Sequence, residues 1–501
     1  MVRIAFASLG CKTNQYESDA LAEWFRRNGF SVVDDHEVAD IYVLNTCTVT
    51  AEAERKARQL FRRYKKHNRH ALIVACGCYA QRADLSDFAD ISVGTVGRAQ
   101  IPALIIEALM ERGVLKSSYR AADMPIGVPL NRQCVEVGEN VTGSVEILRV
   151  PDKGIPYEEL PAPAIPRETR AFLKVQDGCD NRCAYCAISL ARGPSRSRKL
   201  SNIIEEAQEL VAHGFSEFVL TGTNLNLYGF DFRRHTGAAN KCGSSSSELS
   251  VPRIVPDAAS DLADVIVALG RVAGVRRLRL GSLESELITE EFIEKIVNVE
   301  SLCPSFHLSL QSGSDRVLRA MGRRDTRHSY RNAVSKLRAA FPDAGITTDL
   351  IVGFPGETRD DFEETLSFCD EIRFLRIHVF RFSSRPGTRA EKLSRQVPDS
   401  IAAERSVILR AKAAQLAEAA IRDRIGQTRD VLIEKFDSHG RAEGYTPEYI
   451  FVKGHGLSDV YGGKGLGKGS IVPMQIVGAE EQTAIARPFF DGASSYIVPR
   501  L

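Results

Sequence analysis

The sequence predicts an α/β protein in three parts: an open parallel sheet at the amino terminus, a partial (β/α)6 barrel in the middle and a small β-barrel at the end. Three observations carry this. From 1 to about 115, short β-rich runs alternate with amphipathic helical stretches. From Ala171 a second alternating region offers six strand candidates with helical stretches between them. From Arg429 the helical period stops and short runs punctuated by glycine take over.

In the first part, 1–115, the strand runs are Arg3–Leu9, Asp40–Asn45, Ala71–Ala75 and Ile91–Val96. Cysteines follow the first three at once: Cys11, Cys47, and the close pair Cys76 and Cys78. The carboxyl ends of the strands of a doubly wound sheet lie along one ligand-binding edge, so these distant cysteines converge in space. Residues 116–167 are rich in proline with little helical period and read as a linker.

The central part, 168–400, places strands at Ala171–Gln176, Glu217–Gly222, Val275–Leu280, Ser305–Gln311, Thr347–Gly353 and Ile377–Phe382. Helical stretches near 200–213, 259–272, 289–298, 327–340 and 358–372 separate them. That is a parallel barrel short of the full eight units, with its chemistry at the strand carboxyl ends. Residues 231–256 break the rhythm with a polar run, Gly243–Ser247, and read as a flexible surface insertion. A connecting helix over 401–424 leads to the last part, 425–490, whose strands are expected at Val431–Glu434, Tyr449–Val452 and Ile471–Val477.

Composition agrees with a multidomain globular protein: 501 residues, 44% apolar and 26% charged. The start, Met1–Leu9, reads as a strand rather than a signal peptide, and no run approaches the roughly 18 apolar residues of a membrane helix, so a cytoplasmic location is expected. Eleven cysteines in such a chain argue for metal ligation or catalysis over a disulfide scaffold. Net charge is only +2, but Arg55, Lys56, Arg58, Arg62, Arg63, Lys65, Lys66 and Arg69 crowd one helix. A solvated face and a polyanion contact both fit that run.

The sharpest chemical signal is Cys179, Cys183 and Cys186, spaced by three and then two residues directly after the first barrel strand. One loop so spaced can hold three irons of a four-iron cubane and leave the fourth open. The open iron can chelate the amino and carboxylate groups of S-adenosylmethionine, and an electron from the cluster then splits the sulfonium into a deoxyadenosyl radical. The alternative is a zinc site, which normally wants four closed protein ligands; no fourth cysteine or histidine lies in this loop.

Over roughly 168–385 the arrangement resembles the radical S-adenosylmethionine superfamily. The resemblance implies that Tyr185 neighbours the cofactor's adenine. It also implies cofactor contacts from Thr221, Gly222 and Asn224 after the second strand, Ser312 and Gly313 after the fourth, and Asp349 in the fifth. Glycines there admit close backbone approach, and the hydroxyls and amides can bind the methionine and ribose groups.

Cys11, Cys47 and Cys78 form the second constellation; by spacing alone, buried apolar cysteines are the better reading, but all three follow strands. Their segments, Leu9–Asn14, Leu44–Thr48 and Gly77–Gln81, resemble the amino-terminal domain of the methylthiotransferases, in which three such cysteines hold an auxiliary cluster. Cys76 is then an apolar filler. The tail resembles the small RNA-binding TRAM barrel of the same family, with Lys435, Arg441, Tyr445, Tyr449 and Lys453 as candidate RNA contacts.

This resemblance spans nearly the whole chain. It implies two [4Fe-4S] clusters, two molecules of S-adenosylmethionine, a tRNA anticodon stem-loop as partner, an electron donor such as flavodoxin or ferredoxin, and no membrane. Lys12 after the first cysteine, and Arg324 within Met321–Thr326, resemble the branch acting on threonylcarbamoyladenosine. The expected reaction is methylthiolation at C2 of N6-threonylcarbamoyladenosine beside the anticodon, with Arg324 gripping the threonylcarbamoyl carboxylate. The alternatives are the isopentenyladenosine and ribosomal-protein branches, a radical methyltransferase, and a non-catalytic two-cluster RNA-binding protein. Departures from the family pattern fall at Gly281–Ser285 and Ala187–Leu190.

Overall fold

The computed structural model describes residues 1–115, 155–163, 169–235, 260–437, 441–457 and 467–489. Most of the expected linker, 116–154 and 164–168, lies outside them.

The amino-terminal part is a five-stranded parallel sheet in the order β2-β1-β3-β4-β5. Its strands are β1 Arg3–Ser8, β2 Ser31–Val33, β3 Ile41–Thr46, β4 Leu72–Gly77 and β5 Ile91–Val93. Helices α1 Lys12–Arg27 and α3 Ile101–Glu111 pack Trp24, Phe25 and Ile105 on one face; α2 Ala51–His67 packs Phe61 and Tyr64 on the other. With both faces covered, β3 and β4 are buried throughout, which is why they read as continuous apolar runs. The three-residue edge strand β2 is too short to leave such a pattern.

Six parallel strands form the barrel: Ala171–Lys174, Glu217–Thr221, Arg277–Leu280, Ser305–Leu308, Gly345–Val352 and Arg376–Arg381. They pair as two groups of three; a bridge from Leu278 to Leu302 and the short strand Ser282–Leu283 join the groups. Helices Leu200–Ala212, Leu262–Gly270, Glu290–Ile296, Arg327–Ala340 and Arg359–Ile372 cover the outside. Capping boxes start three of them: Asp261 with Asp264, Thr326 with Ser329, and Thr358 with Asp361.

The first residues of the expected insertion, 231–235, belong to a helix, Phe230–His235. The Asp231 carboxylate accepts hydrogen bonds from the Ser197 backbone (2.9 Å) and hydroxyl (2.6 Å), which ties it to the core. Residues 236–259 lie outside the described ones.

Helix Asp399–Arg422 packs on the last barrel strand and leads into a closed barrel of Thr428–Phe436, Ala442–Tyr445, Phe451–Gly454, Ile471–Glu480 and Thr483–Pro488. Its apolar interior is built from Val431, Ile433, Val452, Val472, Met474 and Ile476. Two arginines of the third large-barrel strand fasten it: Arg277 donates to Asp430 and Tyr445 carbonyls, Arg279 to those of Thr446 and Pro447. Among the described residues no helix is long and apolar enough to cross a membrane.

Candidate active site

The parallel sheet delivers its cysteines to one edge. Cys11 is exposed at the start of α1, Cys47 follows β3 and Cys78 follows β4. A Cβ added to Gly10 would lie 2.8 Å from Cys47 Sγ, so the loops touch. Burial pushes the Cys47 thiol up to about 12, against the Val49 N–H that it accepts; Cys78 and Cys11 push the same way as burial. Burial also raises the Cys78 thiol, against Arg192 and with Cys11. Cys76 is fully buried in the core with Phe6, Trp24 and Val74. Two residues apart in a strand share a face, yet Gly77 at φ +91° ends the pleat and redirects Cys78. Cys76→Ala is therefore expected to retain full iron after anaerobic reconstitution, and Cys78→Ala to lose the auxiliary iron; the opposite pattern would reverse the assignment.

Cys179, Cys183 and Cys186 lie in the loop after the first barrel strand. The loop is pinned by the Cys179 N–H donating to Gly193 O (3.0 Å) and the Cys186 N–H donating to Cys183 O (3.2 Å). The Asn224 side-chain amide donates to Cys179 Sγ at 3.5 Å, and the Ile188 N–H to Cys186 Sγ at 3.5 Å. Burial raises the Cys179 thiol to about 11 and the Cys186 thiol to about 12. Arg192, on the short helix that follows Cys186, donates to Asn14, which bonds the loops of Cys11 and Cys47, so the two triads approach each other across the domain boundary.

A buried ionic knot lies beneath both triads. Glu17 of α1 forms ion pairs with Arg98 (2.7 Å), Lys174 (2.8 Å) and Arg192 (2.9 Å); Asp177, just before the cysteine loop, meets the same three cations at 3.1, 2.8 and 2.7 Å. Arg192 also donates to Asn14 Oδ1 at 2.6 Å, and Asn14 in turn donates to the Leu9 and Thr46 carbonyls beside Cys11 and Cys47. Cations outnumber carboxylates here, which suits a position next to thiolate-bound clusters.

Three cavities surround the triads. One of about 500 Å³ adjoins Cys179, Cys183, Cys186, Gly193 and Arg389. One of about 180 Å³ is lined by Tyr185, Gln311, Asp349 and Phe380. The third, about 470 Å³, is the barrel lumen, lined by alternate residues of the strands, such as Thr221, Arg279, His307, Asp349 and Arg376. Cys11 and Lys12 stand at its carboxyl-end mouth and Tyr449 closes its base. Thr221, Gly222 and Asp349 thus share one space, with Tyr185 next to it. Gly313 faces the helix after the fifth strand, its N–H donating to Thr365 Oγ1 at 3.1 Å, and the Ser312 hydroxyl accepts the Ser314 N–H at 3.2 Å; Gln311, at φ +78°, lines the cavity beside Tyr185. Arg324 is exposed on a cavity of about 380 Å³ that adjoins Cys183 and is lined by both acids, among them Glu284 and Glu286, and arginines, among them Arg182 and Arg389.

Among the described residues neither triad has a fourth cysteine at hand, Cys76 being packed in the core, and two such triads fit iron–sulfur clusters with an open position better than closed zinc sites. The family models agree in place: residues 173–369 match the radical SAM superfamily and 3–93 match uncharacterized protein family UPF0004. Along its length the chain is 34% identical to a threonylcarbamoyladenosine tRNA methylthiotransferase MtaB of Thermotoga maritima, covering 90% of this chain and 91% of the relative. The chain belongs to the tRNA methylthiotransferase family. The MtaB of Bacillus subtilis is 35% identical, covering 92% of each chain. The structure of the radical S-adenosylmethionine methyltransferase TsrM from Kitasatospora setae, with cobalamin and a [4Fe-4S] cluster bound, aligns at a TM-score of 0.47 and 14% identity, covering 77% of this chain and 76% of that one.

Sequence reasoning missed the parts of this methylthiotransferase that join its domains. Glu17, Asp177, Arg98, Lys174 and Arg192 are charged, and only the docked fold reveals that they are buried. Tyr445 and Tyr449 were expected on an RNA face. They stack on each other at 4.7 Å, and Tyr449 sits beneath the guanidiniums of Arg170 and Arg279 at the foot of the large barrel. Lys435 and Arg441 pair with Glu443 and Asp437. Of the basic helix, Arg63 and Lys65 are tied to Asp35 and Asp90, whereas Arg62 and Lys66 are exposed; Arg69, expected in the same helix, is exposed just beyond its end at His67.

The raised thiols have a consequence for metal loading. Cys47, Cys179 and Cys186 are protonated at neutral pH without metal, and ligation must release those protons. Iron uptake by the metal-free protein is expected to strengthen as pH rises from about 7 to 9; pH-independent uptake would contradict the burial of these sulfurs.

Proposed function

We propose that the chain inserts a methylthio group at C2 of N6-threonylcarbamoyladenosine beside the anticodon of tRNA. In this reading Cys179, Cys183 and Cys186 hold the cluster that binds S-adenosylmethionine, and Cys11, Cys47 and Cys78 hold the auxiliary cluster. The observation that carries it is the approach of the two triads, whose loops Arg192 and Asn14 tie together, with Cys11 at the mouth of a polar lumen. An aromatic C–H has no acid–base route at neutral pH. When bound, the two clusters and S-adenosylmethionine supply one-electron chemistry for that bond and the sulfur that replaces its hydrogen.

The chain's own residues bind and orient. Gln176 Oε1 accepts the Asn224 N–H at 2.8 Å, which aims the Asn224 amide at Cys179. Glu284 accepts both Asn181 contacts at 3.0 Å and holds the cysteine loop, while Arg323 braces Glu284 at 2.9 Å. Tyr185, Thr221, Gly222, Asn224, Gln311 and Asp349 are the cofactor contacts in this reading; Phe380 and Phe382 keep their cavity apolar. Ser312 and Gly313 shape the turn that presents Gln311. Exposed Arg324, Arg62, Lys66 and Arg69 are open to an RNA backbone, and the anticodon stem-loop is the partner proposed. A small electron-transfer protein such as flavodoxin or ferredoxin is the proposed reductant.

The test presents the anaerobically reconstituted protein with two anticodon stem-loops, one bearing threonylcarbamoyladenosine and one bearing isopentenyladenosine. Conversion of the first is expected to exceed the second by roughly tenfold or more, because a site built for a charged group rejects an apolar one. Equal rates would overturn the substrate assignment and leave the reaction class standing.

A further inference from the structure

The lumen carries more positive charge than its own acids balance. Arg279 is saturated, with Glu217 at 2.7 Å on Nε and two carbonyls on its remaining nitrogens. Arg170 is occupied by Tyr449 Oη at 2.8 Å and Glu434 at 2.6 Å. These two arginines fasten the small barrel. Lys12 and Arg376 differ: both line the same lumen, and neither side chain has a hydrogen bond or ion pair among the described residues. Arg376 only flanks the Tyr449 ring, at 5.8 Å. The lumen's own acid, Asp349, is turned to His307 at 3.4 Å. Two cations that line one lumen without a counter-charge repel each other, and an anion bound between them removes that repulsion.

We infer that Lys12 and Arg376 form the subsite for the carboxylate of the threonylcarbamoyl arm, which enters the lumen while the adenine stays at its mouth. This rests on the substrate proposed above. The lumen opens beside Cys11, at the strand ends where both triads stand, and runs inward past the hydroxyls of Ser305 and Thr347 toward Arg376. Its polar, cationic lining suits an arm ending in a carboxylate and would leave an isopentenyl group facing desolvated charge. Arg324, the position that the sequence suggested for this role, already has the carboxylate of Glu286 as a counter-charge, on a cavity where acids and arginines balance, whereas Lys12 and Arg376 have none.

The experiment measures binding of two probes to the metal-loaded, full-length protein by anaerobic fluorescence anisotropy. One stem-loop bears threonylcarbamoyladenosine; the other bears its neutral carboxamide analogue. The unmodified protein is expected to bind the carboxylate probe at least roughly tenfold more tightly. Arg376→Gln and Lys12→Gln should each bring that ratio close to one, with Arg376→Lys recovering part of it. Lys12 adjoins Cys11, so iron content is measured for that variant; Arg376 is remote from every cysteine triad in sequence and gives an independent reading. A ratio unchanged in both variants, or one lost only in Arg324→Gly, overturns the subsite. Carboxylate preference without methylthio product would retain the subsite and sink the reaction class; product formation without carboxylate preference would do the reverse.

Discussion

Alanine at Cys179, Cys183 and Cys186 is expected to reduce iron from about eight to about four per chain and to abolish both cleavage of S-adenosylmethionine and product formation. Alanine at Cys11, Cys47 and Cys78 should also leave about four irons, but with reductive cleavage of S-adenosylmethionine intact and methylthio product at background. The two outcomes differ because the triads sit on different domains and have different surroundings. The barrel loop is braced by Asn224 and Glu284 next to the cofactor cavity, whereas the other triad is held by the sheet edge and Arg192. Iron assay, cluster spectroscopy and product analysis on the two variants separate them. Zinc in place of iron after reconstitution, or cleavage lost in both variants, would contradict the division of roles.

Glu17→Ala is expected to cause the largest loss of stability among single substitutions outside the cysteines, about 3–5 kcal/mol, because it strands buried cations. Arg98, Lys174 and Arg192 would be left with Asp177, and Asn45 would lose a partner at 3.3 Å. Against burial, Arg192, Arg98 and Lys174 hold the Glu17 carboxyl well below the usual carboxylate range. A depressed folded value contributes stability that is present above the unfolded pKa, about 4.5, and lost as pH falls below it toward the folded value. The docking of the amino-terminal domain should therefore weaken on acidification below that point, and Glu17→Ala should lack this acid limb. Thermal unfolding followed across pH 3 to 7, with iron retention read in parallel, checks both statements. A melting curve for Glu17→Ala that matches the unmodified protein would show that the knot is not what joins the domains.

The strands and the cysteines at their ends were legible because each rests on a local pattern. The apolar runs of β3 and β4 and the capping residues of the outer helices announce themselves within a few positions. What joins the parts was not legible. Glu17 reads as one more helix carboxylate until Lys174 and Arg192, more than 150 residues away, close on it. Tyr449 reads as a base-stacking ring until three arginines of the barrel surround it. The charge of Arg324 was legible but its acidic neighbours were not, and Arg376 looked like an ordinary strand residue until the barrel closed around it.

The central claim concerns what is added to the base. The most direct measurement incubates the reconstituted protein with methyl-labelled S-adenosylmethionine, a reductant and the threonylcarbamoyladenosine stem-loop, then takes the mass of the released nucleoside. The account predicts a nucleoside that has gained one sulfur together with one labelled methyl at C2. A nucleoside that gained the labelled methyl without sulfur, or an unchanged nucleoside despite cofactor cleavage, would contradict it.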